Sequence, residues 1–274
     1  MIDSVKRITI VTGHYGSGKT NFAVNLAVDL SREGKQVVLV DLDIVNPYFR
    51  SADFKERLTA MGIEMICPIY ANTNLDIPAL GADIYSVFYQ NDSRYVIFDV
   101  GGDDAGAAAL GRYSHLIQQE NYDMLYIVNC YRYLTRQPEE ALQILREIET
   151  TARVPVTGII NNSNLGDQTT EQDITNAITY GADVAALAGV PLVATTVRRD
   201  LAGSLIEKSV YPVDIYVLPP WEKYKNFANQ PFFGFGQSKS KEDCNGKGNN
   251  FGKHLQRLWP LHNCVPQKNR RFGT

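Results

Sequence analysis

The chain has 274 residues, 44% hydrophobic and 21% charged, which is enough apolar material for a substantial core. Its formal net charge of −3 gives no general basic character and so implies no nucleic-acid partner. No apolar run approaches the roughly 20 residues of a membrane helix.

The charge is unevenly spread. Residues 230–274 hold eight Lys/Arg against two Asp/Glu, while the remainder holds 19 against 28. This reads as an acidic body, residues 1–228, with a polar, basic C-terminal tail, residues 229–274, expected to be disordered. Four cysteines, Cys67, Cys130, Cys244 and Cys264, are scattered without a C-x-x-C pair. That pattern fits a reducing cytoplasm better than a disulfide framework. Met1 to Arg7 leads almost directly into the first apolar run and leaves no room for a signal peptide.

That first run, Ile8 to Thr12, reads as a strand ending in a glycine-rich loop, Gly13-His14-Tyr15-Gly16-Ser17-Gly18-Lys19-Thr20, followed by a helix from Asn21 to Leu30. Gly13, Gly18, Lys19 and Thr20 fit the phosphate-binding pattern G-x-x-x-x-G-K-[ST]. Glycines let backbone N–H groups curl around phosphate oxygens, and the helix that follows points its electropositive end at the same anion. Lys19 reaches the β- and γ-phosphates and the Thr20 hydroxyl can ligate Mg²⁺. The whole stretch Gly13–Asn21 is expected to contact nucleotide.

Gly34 stops the helix, and Gln36 to Asp43 forms an apolar run ending in two acids, Asp41 and Asp43. In a parallel sheet both stand beside the loop, where a carboxylate organises Mg²⁺ or positions a water. Ile44 to Arg50 reads as a loop broken by Pro47, with Asn46 or Arg50 either sensing the γ-phosphate or merely forming a turn. A helix from Ser51 to Met61, a short strand at Ile63–Cys67, a loop at Asn72–Pro78 and a short helix at Ile84–Tyr89 follow.

Tyr95 to Val100 is a strand carrying Asp99 near its end, suited to hold Mg²⁺ through water. Gly101 and Gly102 let backbone approach the γ-phosphate. One helix is expected over Ala105–Gln118, a strand over Tyr122–Asn129 and a helix over Gln137–Thr150. The next strand, Val156–Asn162, ends in Asn161 and Asn162. Their amides can pair with donor and acceptor edges of a base, or simply form a turn. A helix at Gln172–Leu187 precedes two last strands, Val190–Val197 and Val213–Pro220, with Pro219 counted among the nucleotide contacts. Regular alternation predicts an α/β fold: a doubly wound, mostly parallel sheet with helices on both faces. In the tail, Cys244, His254, His262 and Cys264 match no zinc spacing.

The ordered set of the Gly13–Thr20 loop, Val40-Asp-Leu-Asp43, Asp99-Val-Gly-Gly102 and Gly158-Ile-Ile-Asn-Asn162 resembles the MinD/ParA/CobQ group of P-loop proteins. Within that group the chain is similar to poorly characterised bacterial ATP-binding proteins carrying Asp-Leu-Asp-Ile-Val-Asn-Pro-Tyr-Phe-Arg after the second strand. The resemblance spans roughly residues 6–222 and implies ATP with Mg²⁺.

It implies roles residue by residue. Lys19 and Thr20 serve phosphate and metal, Asp43 positions water, Asp41 supports the metal shell and Asp99 holds Mg²⁺ through water. Gly102 contacts the γ-phosphate through backbone, and Asn162, with Asn161 as the near alternative, reads adenine. Many members carry an early loop lysine that reaches the partner's nucleotide in an ATP-bound dimer. Here His14 stands in that place, a shorter and mostly neutral group at pH 7.

The expected function is a Mg²⁺-dependent ATPase that switches a protein partner, with a homodimer possible. The rivals are an ATP-dependent ligase or kinase of the dethiobiotin or cobyrinic acid type, using Arg50 or Arg112 for an anionic substrate, and a nucleotide-gated scaffold with negligible hydrolysis. GTP is disfavoured because no Asn-Lys-x-Asp guanine motif is present.

Overall fold

Apolar, β-branched runs with no polar face have one stable location, between two layers of helix. The computed structural model, which describes residues 5–43, 55–67, 83–89, 93–102, 104–204 and 210–217, puts them there. The strands are β1 (Ile8–Gly13), β2 (Gln36–Leu42), β3 (Ile63–Ile66), β4 (Arg94–Val100), β5 (Tyr122–Val128), β6 (Gly158–Asn161), β7 (Leu192–Arg198) and β8 (Val210–Val213). They form one sheet in the order β3-β2-β4-β1-β5-β6-β7-β8. Every pairing in it is parallel.

Side chains alternate between the two faces, as the period of a strand requires. In β2, Val38, Val40 and Leu42 enter one core while Val37 and Leu39 enter the other. The second core is roofed by α1 (Lys19–Arg32) and α2 (Lys55–Ala60), through Phe22, Leu26 and Leu58. The first is covered by α3 (Asp83–Tyr89), α4 (Asp104–Gly111), α5 (Ser114–Ile117), α6 (Pro138–Ala152) and α7 (Glu171–Ala188).

Packing fixes the positions of the acids. Phe98, fully buried in β4 next to Asp99, stacks on Phe88 at 5.9 Å between centroids. Burying such a ring contributes about 1.5–3 kcal/mol, so the carboxylate beside it inherits a rigid backbone.

The strand order places the site. β1 lies between β4 and β5, with β2 beyond β4 and β6 beyond β5. At the C-terminal ends of the strands, the loop after β1 therefore has the aspartates of β4 and β2 on one side. On the other side are the asparagines that follow β5 and end β6.

Two expectations are corrected. The single helix over Ala105–Gln118 is two, α4 and α5. Arg112 and Tyr113 donate to carbonyls three residues back, Ala109 and Leu110, which tightens the chain into a turn. Tyr113 then turns inward onto Tyr85 and Phe88. The last strand is Val210–Val213 rather than a run beginning at Val213. It is the sheet's edge, where Pro212 lacks no needed ladder bond. The doubly wound parallel sheet with helices on both faces is as expected. The expectations for Ile44–Arg50, Asn72–Pro78, Pro219 and the tail 229–274 lie outside the described residues.

Candidate nucleotide-binding site

β1 runs fully buried to Gly13, where the chain leaves the sheet and turns back toward it through residues 14–18. Gly18 ends the turn with φ 93° and ψ 21°, a left-handed conformation that a side chain resists. A Cβ there would also collide with the Asn162 amide. α1 starts at the next residue with no side-chain cap and no acid in its first turn.

The two other long helices begin differently. α6 is closed by a Gln137–Glu140 capping box with Pro138 at its first position, and α7 by a Thr170–Asp173 box. The N–H groups and partial positive charge of α1 thus remain directed at the loop.

Lys19 and Thr20 are both nearly buried. Lys19 Nζ reaches back across the loop to donate to His14 O at 3.3 Å. His14 itself is held below the ordinary histidine pKa, first by burial and then by the neighbouring Lys19 ammonium, so its ring is neutral at pH 7. Tyr15, by contrast, is 54% exposed at the tip of the loop. Ser17 is buried, and its carbonyl accepts the Asn162 amide N–H at 2.6 Å.

Gly102 meets the loop from the β4 side. A Cβ on it would lie 2.6 Å from the Tyr15 backbone N, 2.7 Å from Gly13 O and 2.7 Å from Lys19 Nζ. Only a glycine allows the turn after β4 to come this close. The following helix is tied to the same turn, since a Cβ on Gly106 of α4 would meet Gly101 Cα at 2.6 Å.

The acids lie together as the register dictates. Asp41 in β2 is the direct neighbour of Asp99 in β4, and Asp99 in turn neighbours Val11 in β1. Asp41 Oδ1 accepts the Asp43 N–H at 2.9 Å, which fixes Asp43 just past the strand end. All three carboxylates are buried or nearly so, at 0%, 8% and 1% exposure for Asp41, Asp43 and Asp99.

Burial foremost, then the Asp41 charge, raises the Asp99 pKa from 3.8 to about 8. Lys19 and a hydrogen bond with Thr20 pull it partly back. Thr20, Asp41 and Asp99 are thus an all-oxygen set on the side of the loop that faces β4, the donor chemistry that Mg²⁺ takes. Among the described residues no three His, Cys, Asp or Glu side chains form a metal cage. With one hydroxyl and two carboxylates from the protein, the Thr20, Asp41 and Asp99 set suits an ion that keeps water and phosphate oxygens as its other ligands.

On the β6 side the two asparagines part company. Asn161 is sealed in, donating to Ala177 O of α7 at 2.8 Å and accepting from Ser163 Oγ at 2.7 Å. It packs so closely that a Cβ on Gly181 of α7 would lie 2.6 Å from its own Cβ. Its amide serves the join between β6 and α7. Asn162 points the other way, to the Ser17 carbonyl and to the Thr196 hydroxyl.

The Asn21 side chain ties α1 to the segment after β8. It donates to Asp214 O at 3.0 Å and accepts from the N–H groups of Tyr216 and Val217. With Asn25 it clasps residues 214–217 onto α1. Side chains outside the motifs complete the frame. Asn129, buried after β5, accepts the Tyr131 N–H and donates to Asn164 O, tying the loops after β5 and β6 together. Its sequence signal was its place at the end of an apolar strand.

The nucleotide-binding domain family described as CobQ/CobB/MinD/ParA matches residues 8–206. The chain belongs to this family. The CobQ/CobB/MinD/ParA match embraces the loop, the acid pair, Asp99, Gly102 and both asparagines, and makes the chain a nucleotide-binding P-loop protein. No curated protein matches the chain.

Among solved structures, FtsY from Mycoplasma mycoides is similar at 20% identity and a TM-score of 0.49, covering 72% of this chain and 62% of that one. FtsY from Thermotoga maritima is similar at 22% and 0.43, with 72% and 63% covered. The signal recognition particle 54 kDa protein from Aeropyrum pernix K1, solved with GDP, is similar at 18% and 0.45, with 71% and 42% covered. The chain spans less than two thirds of the length of each. At these values the likeness carries no argument about nucleotide or partner. Among the described residues no helix is long and apolar enough to cross a membrane.

Proposed function

We propose that the chain binds ATP with Mg²⁺ and hydrolyses it to switch a protein partner. The observation that carries this reading is the convergence of Lys19, Thr20, the Asp41–Asp99 pair and Gly102 on one loop at the head of α1. Lys19 and the loop N–H groups bind the phosphate chain and hold it in line. Thr20, Asp41 and Asp99 would hold Mg²⁺, which when bound draws charge from the β- and γ-phosphate oxygens. Asp43, fixed past the end of β2, orients the attacking water. The backbone of Gly102 reports the γ-phosphate, and α4 packed on Gly101 carries the report outward. Adenine is proposed over guanine on the absence of an Asn-Lys-x-Asp motif, with Asn162, whose amide donates to the Ser17 carbonyl of the loop, as the proposed base reader.

The ligase reading gains nothing from the fold. Arg112 follows the C-terminus of α4, about 12 Å along the helix from its start beside Gly101. Arg50 lies outside the described residues.

The deciding experiment is Mg²⁺-dependent phosphate release from ATP and from GTP. Slow ATP turnover is expected, lost about a hundredfold or more in Asp43→Ala while nucleotide binding is kept. Tight ATP binding with no turnover would replace the switch by the scaffold reading, and absence of ATP binding would overturn the proposal.

A pH effect accompanies the metal assignment. Asp99 keeps its proton up to about 8 in the fold against an ordinary 3.8, so between those values the folded chain holds more protons than the unfolded one. Stability from this group is full at low pH and declines as pH rises through that window. The Tm of metal-free protein relative to Asp99→Asn, which has no such proton to lose, is expected to fall from about pH 5 to about pH 8. Mg²⁺ with nucleotide, taking the place of the proton, should remove the decline. An unchanged difference across the range would mean that Asp99 is ionised throughout.

A further inference from the structure

Arg132 follows β5 and lies against the phosphate loop. A Cβ built on Gly16 would meet its Nε at 3.6 Å and its Cζ at 3.8 Å, so the guanidinium lies along the loop's edge. The backbone carrying it is tightly held. Its own N–H donates to Asn129 O at 3.2 Å, and Thr135 Oγ1 donates to the same carbonyl at 2.8 Å. Just before it, the Cys130 N–H donates to Ser163 Oγ and the Tyr131 hydroxyl to Asp173 O.

The side chain, in contrast, has no hydrogen-bond or ion-pair partner among the described residues. Elsewhere arginines near strand ends are ion-paired: Arg7 with Glu120, Arg94 with Glu64, Arg198 with Asp200 and Arg199 with Asp214. An exposed cation on a firmly held backbone, with no protein partner among the described residues and beside a loop shaped for phosphate, is a donor free to take its acceptor from the ligand.

The charge balance points the same way. Asp41, Asp43 and Asp99 flank one side of the loop, and among the described residues Lys19 is the only ammonium at it. A nucleotide adds several negative charges to that site. A planar guanidinium can give two parallel N–H bonds to one phosphate group, which an ammonium cannot.

We propose that Arg132 binds the phosphate chain of the nucleotide held by the loop of its own chain, as a second cation opposite the acid side. This rests on the nucleotide-site reading above.

The test is calorimetric titration of the full chain with ADP and with a non-hydrolysable ATP analogue, both with Mg²⁺. Arg132→Ala is expected to lose affinity about tenfold to a hundredfold, the scale of a charged hydrogen bond, and Arg132→Lys to recover part of it. Without nucleotide, the Tm of Arg132→Ala should match wild type, since the side chain makes no contact that holds the fold. Arg136→Ala, whose guanidinium stacks over Tyr133 at 5.7 Å, serves as the control and should bind normally.

Wild-type affinity in Arg132→Ala overturns the proposal. So does a lowered Tm without nucleotide together with unchanged affinity, which would make Arg132 a brace for the loop. If wild type binds neither nucleotide, the reading of the loop fails first and this one with it.

Discussion

Lys19→Ala is expected to lower nucleotide affinity on the order of a hundred- to a thousandfold and to abolish measurable turnover. The ammonium is nearly buried and already spans the loop to His14 O, so it is preorganised over the place where phosphates bind. Each hydrogen bond to a charged group contributes about 1.5–3 kcal/mol, and Lys19 offers two or more to the phosphate chain. Its loss also removes charge stabilisation that grows as the γ-phosphate leaves, worth roughly a further hundred- to a thousandfold in rate.

His14 does not substitute for it, because burial, the larger cause of its lowered pKa, remains when Lys19 is gone. A second consequence is specific to this arrangement. Lys19 is one of the groups that restrain the raised pKa of Asp99. Without it Asp99 keeps its proton to still higher pH and binds a divalent cation less readily. Isothermal titration with nucleotide, with and without Mg²⁺, reads both effects. Near-wild-type affinity in Lys19→Ala would mean that phosphate is not held here.

The second large effect is expected at Gly102. An alanine Cβ would sit 2.6 Å from Tyr15 N and 2.7 Å from Gly13 O, and both obstacles are backbone atoms. Neither can swing aside as a side-chain tip does, so either the loop opens or the turn after β4 withdraws. Overpacking of this kind costs about 1–3 kcal/mol.

The strand preceding Gly102 is packed from both faces, so Gly102→Ala is expected to fold. Its nucleotide affinity should drop about tenfold and its turnover at least about a hundredfold, because the turn no longer reaches the phosphate. Gly203→Ala is a fair control, since a Cβ there meets nothing within 4 Å. Circular dichroism and phosphate release on the two variants make the comparison. Full turnover in Gly102→Ala would show that the close approach of the two loops is dispensable.

Much of the site was legible in one dimension because its chemistry needs particular residues at fixed spacing. The phosphate loop requires glycines where a Cβ would block an anion, a lysine at its exit and a hydroxyl next to it, and Gly13 to Thr20 supply that order. Buried parallel strands require uninterrupted apolar runs, so β1, β2, β4, β5 and β6 are readable to within a residue or two, and their polar ends mark the ligand side.

What the sequence determined by itself, then, is the α/β class, the loop, and the acids and amides at the strand ends. The tertiary structure decided which of those polar groups share a point in space. Asn161 and Asn162 are adjacent and chemically identical, yet Asn161 ends β6 and enters the α7 interface, while Asn162, just past the strand end, reaches the loop. The Asn21 amide, one residue past the motif, is held by backbone groups of residues 214–217, nearly 200 positions distant in sequence. Arg132 carries no motif at all and stands against Gly16 only because β5 lies beside β1. Such pairings depend on strand order, and strand order is set by crossover packing over the whole sheet rather than by any local run of residues.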